Sequence, residues 1–142
     1  LALAAQPAVA QSYRFRVLKT VANVFINKDG TQTIEYFITF QNQNGAPAID
    51  YVDIGVPKNG DYDLKSVTGE VSGKKITDIQ KSEYVKPGIA FGLGANAIRA
   101  SQTGEVHVLI PIIRREIYES DLKDLKESYA SINFQPNTLK FL

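Results

Sequence analysis

Residues Val24 to Phe40 read VFINKDGTQTIEYFITF, two apolar runs around a short polar connection. After the connection, Ile34, Tyr36, Ile38 and Phe40 alternate with Thr33, Glu35, Phe37 and Thr39. A period of two over that length predicts a half-buried strand with the first set facing the core. Before it, RFRVLKTVANVFI is rich in β-branched and aromatic residues, with Arg14 and Arg16 flanking Phe15 on the outward phase. Asn27, Lys28, Asp29 and Gly30 are all turn formers, and Gly30 suits the positive-φ position that closes a type I turn with a bulge. The stretch predicts a β-hairpin.

Further strands are expected at the spacing of a sandwich. In AIDYVDIGVP, Val52, Ile54 and Val56 fall on one face and Asp53 and Gly55 on the other, with Pro57 as terminator. The segment from Asp63 to Ile79 reads as short strands broken at Gly69 and at Ser72-Gly73, and GIAFGLG after Pro87 as one more. The longest run, GEVHVLIPIIRREI, sets Val106, Val108, Ile110 and Ile112 in one phase. Leu109 and Ile113 make the other phase apolar too, which predicts a central strand. Pro111 removes a ladder donor and predicts a bulge or strand end close by.

One segment departs from this pattern. In YESDLKDLKESY the apolar residues Tyr118, Leu122, Leu125 and Tyr129 recur at four, three and four. Glu119 with Lys123, and Lys123 with Glu127, stand four apart. That spacing predicts one short connecting helix near residues 119–128, followed by a last strand, ASINF. Short strands with a single helix predict an all-β, immunoglobulin-like antiparallel β-sandwich.

Composition narrows the function classes. The chain has 142 residues, enough for one domain with its own core. Its 16 basic and 15 acidic residues are interspersed, so neither a nucleic acid nor an anionic membrane surface is an expected partner. Cysteine is absent, which excludes disulfides, thiolate metal sites and cysteine nucleophiles. No run is long and apolar enough to span a bilayer, so this segment is not expected to insert in a membrane. LALAAQPAVAQS carries no charge, is rich in Ala and Leu, and holds Ala8-Val9-Ala10, the pattern of a leader's apolar region and cleavage site. Residues 1–12 are therefore expected to be a signal-peptide remnant or disordered tail, with its first residues missing. Residues 13–142 are expected to be a single sandwich domain cut short at its C-terminus. Export without cysteine points to an extracytoplasmic place in a bacterium, the periplasm or cell surface.

The residues that could carry chemistry give weak patterns. Asp50, Asp53, Asp61 and Asp63 lie close in sequence, but Asp50 and Asp53 are oddly spaced and expected on opposite faces. Asp61 and Asp63 sit in KNGDYDL, a turn-like setting without calcium-loop spacing. His107 is expected on the surface and alone, with no serine nucleophile motif to serve. No catalytic residue, cofactor or metal is predicted. Among seven tyrosines and seven phenylalanines, Phe37 and Tyr51 fall opposite their strands' core residues, and Tyr62 and Tyr84 lie near loops. These four are the candidate ligand-binding residues, as a surface on which sugars or peptides stack.

Three pieces carry a family resemblance: the opening hairpin, YVKPGIAFGLGANAIRASQTGEVHV and YASINFQPN. Together they resemble the N-terminal extracytoplasmic β-sandwich of uncharacterised bacterial membrane-anchored envelope proteins, over roughly residues 13 to 137. The resemblance implies a non-enzymatic structural or interaction module. Its partners would be neighbouring domains of the same polypeptide or other envelope proteins. The alternative is a carbohydrate- or peptide-binding sandwich that uses the exposed aromatics.

Overall fold

The structure, a computed structural model, describes residues 13–120 and 129–132. Over them the chain is an all-β, antiparallel, sandwich-like protein. The opening hairpin forms as expected from β1 (Phe15–Ile26) and β2 (Gln32–Asn42). At its turn the Gly30 N–H donates to the Asn27 carbonyl at 3.0 Å, and the Asn27 N–H to the Thr31 carbonyl at 2.8 Å. Gly30 has φ 80°, the left-handed conformation that this turn requires and that glycine adopts without a Cβ penalty. The Asp29 carboxylate fastens the turn, accepting from the Thr31 N–H at 3.0 Å and its hydroxyl at 2.8 Å.

The later strands are β3 (Tyr51–Gly55), β4 (Asp61–Tyr62), β5 (Thr68–Val71), β6 (Lys74–Lys75), β7 (Asp78–Lys81) and β8 (Gly88–Gly92). They are followed by β9 (Thr103–Arg114), β10 (Ile117–Glu119) and β11 (Ala130–Ile132). One sheet runs β1-β2-β9-β5-β6, with β4 also on β9; a second runs β3-β8-β7; β10 and β11 pair separately. The expected central strand is β9, which has β2 on one side and β4 and β5 on the other. Ser72 and Gly73, both at positive φ (49° and 76°), make the tight turn between β5 and β6.

The core lies between the two larger sheets. Ile34, Tyr36, Ile38 and Phe40 of β2 and Val106, Val108 and Ile110 of β9 meet Val52, Ile54, Ile89 and Phe91 from the smaller sheet. Burying each of these side chains contributes about 1.5–3 kcal/mol.

Two sequence expectations are corrected here. Ile112, expected to share a face with Val106, Val108 and Ile110, is 42% exposed while they and Ile113 are fully buried. The cause is a bulge at Pro111 and Ile112, where the register against β2 steps from Ile34–Ile110 to Gln32–Ile113. Pro111 sits in the irregularity, and its carbonyl accepts from the Thr33 hydroxyl. Gly69, expected at a strand break, lies inside β5. A Cβ there would come within 2.9 Å of the Phe91 ring, so this glycine is a point of close approach by the opposite layer.

The expected helix falls mostly on residues 121–128, outside the described residues. Its first residue, Glu119, instead ends strand β10, where it pairs with Ala130 of β11. The leader segment 1–12 and residues 133–142 also lie outside the described residues. Among the described residues, no helix is long and apolar enough to cross a membrane.

Candidate functional site

The smaller sheet turns a face of tyrosines and carboxylates to solvent. Alternation along β3 sends Val52 and Ile54 inward and Tyr51 and Asp53 outward. Register then aligns Tyr51 with Gly92 of β8, and Gly92 with Asp78 of β7. Above Gly92, the Tyr51 hydroxyl donates to Asp78 Oδ2 at 2.8 Å. A Cβ at position 92 would collide with the Asp78 carboxylate, so glycine is what lets this pair close over the central strand. The hydrogen bond to Asp78 raises the Tyr51 hydroxyl pKa above its usual value.

Two further ties complete the face. Tyr13 donates to Asp50 Oδ1 at 2.7 Å, and burial, then Asp50, push its hydroxyl pKa up. Both tyrosines are therefore protonated donors at neutral pH. The Ser82 hydroxyl donates to Asp53 Oδ1, and Ser82 Oγ accepts from the N–H groups of Tyr84 (3.1 Å) and Val85 (2.9 Å). Asp53 thus fixes, through Ser82, the loop carrying Tyr84, which is 86% exposed.

The four candidate aromatics do not form one surface. Tyr51 and Tyr84 share this face with Tyr13, whose hydroxyl feels Asp50, Asp53 and Tyr84 together. Phe37 is on the outer face of the larger sheet, its ring stacked on His107. Tyr62 lies in β4, half-buried and packed against the core, where burial raises its hydroxyl pKa. Asp50 precedes the regular strand, so the alternation behind the expected opposite faces does not extend to it, and both Asp50 and Asp53 act electrostatically on the Tyr13 hydroxyl. Tyr13, Asp78 and Ser82 had no sequence signal, since only tertiary structure brings them to Asp50, Tyr51 and Asp53.

His107 is not alone either. Its Nε2 lies 2.9 Å from Glu35 Oε1, and Asn23 Nδ2 donates to Glu35 Oε2 at 3.0 Å. The Asn23 bond first, then His107, lower the Glu35 pKa. The other two candidate acids, Asp61 and Asp63, serve local structure. Asp63 accepts from the Lys65 N–H at 3.0 Å and caps the 3₁₀ turn Leu64–Ser66, while Asp61 stands 3.9 Å from Arg114. Among the described residues, no three His, Asp or Glu side chains converge as metal ligands.

Two polar features lie elsewhere. A shallow groove of about 380 Å³ is lined by Arg16, Gln41, Asn42, Gln43, Asn44 and Ser101. Glu116 is 1% exposed, and burial raises its carboxyl pKa although the Asn59 N–H donates to it. Arg115 beside it takes φ 66°, unusual for a side-chain-bearing residue, at the point where the chain turns Glu116 inward.

In comparisons with known proteins, the chain matches no family, no curated protein and no solved structure.

Proposed function

We propose that this chain is a non-enzymatic, extracytoplasmic structural or interaction module of a bacterial envelope protein, built as an immunoglobulin-like sandwich. One observation carries the reading: among the described residues, Asp50, Asp53, Asp78, Glu35 and His107 are engaged in holding neighbouring segments together. Asp50 binds Tyr13, Asp53 binds Ser82, Asp78 binds Tyr51 and Glu35 binds Asn23 and His107. A hydrolytic pair needs one carboxyl that keeps its proton at neutral pH and a second facing it across a cleft. Among the described residues the acid raised by burial is Glu116, which takes the Asn59 N–H and lies beside Gly60, whereas Asp50, Asp53 and Asp78 are tied to Tyr13, Ser82 and Tyr51. The leader-like N-terminal sequence supports export, and neighbouring domains or other envelope proteins are the partners this reading implies.

A second reading has its own observation. Tyr13, Tyr51 and Tyr84 are 39%, 44% and 86% exposed on one side of the smaller sheet, beside three carboxylates. Exposed rings flanked by acceptors suit a carbohydrate or a peptide. Calorimetric titration with soluble polysaccharides and peptides separates the two. The first reading expects no heat of binding from this face, whereas saturable binding lost in Tyr84→Ala would establish the second.

A further inference from the structure

We propose that residues Thr20 to Ile26 of β1 form a self-pairing edge, through which two copies of the chain join their larger sheets antiparallel. The observation is an asymmetry in how the sheet's edges are protected. A bare edge strand offers unpaired N–H and C=O groups to any other strand, and cations, bulges and short length are the usual defences. The β6 edge has them, being the two exposed lysines Lys74 and Lys75 only. The first part of β1 has them as well, with Arg16 and Lys19, Arg14 just before it, and a register slip between Val17 and Lys19. From Thr20 to Ile26, TVANVFI has no charge, proline, glycine or bulge, and it pairs only with β2 among the described residues.

The exposed side chains follow the same division. Phe25 is 51% and Ile26 56% exposed, and Thr20 and Ala22 are exposed although they lie on the core side of the sheet. An occupant must be an extended, uncharged strand rich in β-branched and aromatic residues, and the segment itself is one.

Self-pairing has a natural register. A two-fold axis at Asn23 sets Thr20 opposite Ile26 of the second copy, Val21 opposite Phe25 and Ala22 opposite Val24. Aromatic and β-branched residues face each other there, a favourable cross-strand combination. The nearest cation, Lys19, falls opposite Asn27, so no like charges meet. So short an interface falls below the size of a stable permanent dimer, and the association is expected to be reversible and concentration-dependent. This pairing is independent of the functional reading above, since it requires neither export nor the absence of catalysis.

Sedimentation velocity over a wide range of protein concentration tests it. The wild-type chain should pass from monomer to dimer, and Thr20→Lys and Ile26→Glu, both at exposed positions, should each weaken the dimer about tenfold or more. The double variant should recover it, because the introduced lysine of one copy then faces the introduced glutamate of the other. Thermal midpoints of the variants, measured alongside, establish that the monomer stays folded. Monomer at every concentration, or a dimer indifferent to Ile26→Glu, overturns the pairing. Weakening by both single changes without recovery in the double overturns the antiparallel register and the proposal with it.

Discussion

Phe37 lies flat against His107 across the β2–β9 ladder, with ring centroids 4.3 Å apart and planes within 4°. The stack holds the imidazole where its Nε2 meets Glu35, so the sole histidine belongs to a cross-strand cluster with Phe37, Glu35 and Asn23.

Glu35 gives the cluster a pH signature. Its pKa is lowered in the folded chain, first by Asn23 and then by His107. A depressed carboxyl stabilises the fold above its unfolded pKa, near 4.3, and loses that contribution as pH falls through the folded value. Glu35→Gln should therefore lower the thermal midpoint at neutral pH, and the difference should close below pH of about 4. A difference that persists unchanged in acid would refute the assignment.

Glu116 should behave in the opposite sense. Burial raises its folded pKa, so the folded state holds the proton more tightly than the unfolded one. Its stabilising contribution is present below the unfolded pKa, near 4.3, and is lost as pH rises through the folded value. Glu116→Gln should raise the midpoint at neutral pH and confer little advantage in acid. A midpoint lowered at neutral pH would mean that the ionised carboxylate is the form the fold requires.

At the hairpin, a Cβ on Gly30 meets nothing within 4 Å, so substitution there tests backbone conformation alone. Gly30→Val should cost about 1–3 kcal/mol in denaturant unfolding, and Gly30→Asn much less, because asparagine tolerates φ near 80°. Equal costs would mean that the turn relaxes to another type.

Between the layers, Gly69→Ala should destabilise by about 1–3 kcal/mol, since the new methyl overlaps the Phe91 ring. Phe91→Leu should cost stability alone yet recover part of the loss when combined with Gly69→Ala, a non-additivity that a double-mutant cycle measures. Strict additivity would show that the two positions do not meet.

What could be read in advance follows from how local each cause is. The period of two in β2 and the turn residues ending at Gly30 act within a few residues, and both appear as expected. The phase beyond Pro111 could not be read, because a bulge consumes one residue and reverses every side chain after it. Gly69 misled for a related reason: a glycine at a strand break and one beneath a ring from the other layer look alike without the partner. The tyrosine–carboxylate face was half legible. Tyr51 and Tyr84 stood out, but the ties to Asp78 and Ser82 depend on register between β3, β8 and β7, which no local pattern encodes.

Asp53 shows most plainly how the acids of the smaller sheet act as structural ties. Its carboxylate takes the Ser82 hydroxyl, and Ser82 in turn holds the backbone of the Tyr84 loop. Acids gathered for a ligand repel one another, and removing one commonly stabilises a protein at the expense of function. Acids that satisfy hydrogen-bond donors do the reverse. The measurement is the unfolding free energy of Asp53→Ala at neutral pH, with amide exchange read at Tyr84 and Val85. A loss of about 1–3 kcal/mol, with faster exchange at both amides, is the predicted result. A gain in stability with exchange unchanged would contradict the account.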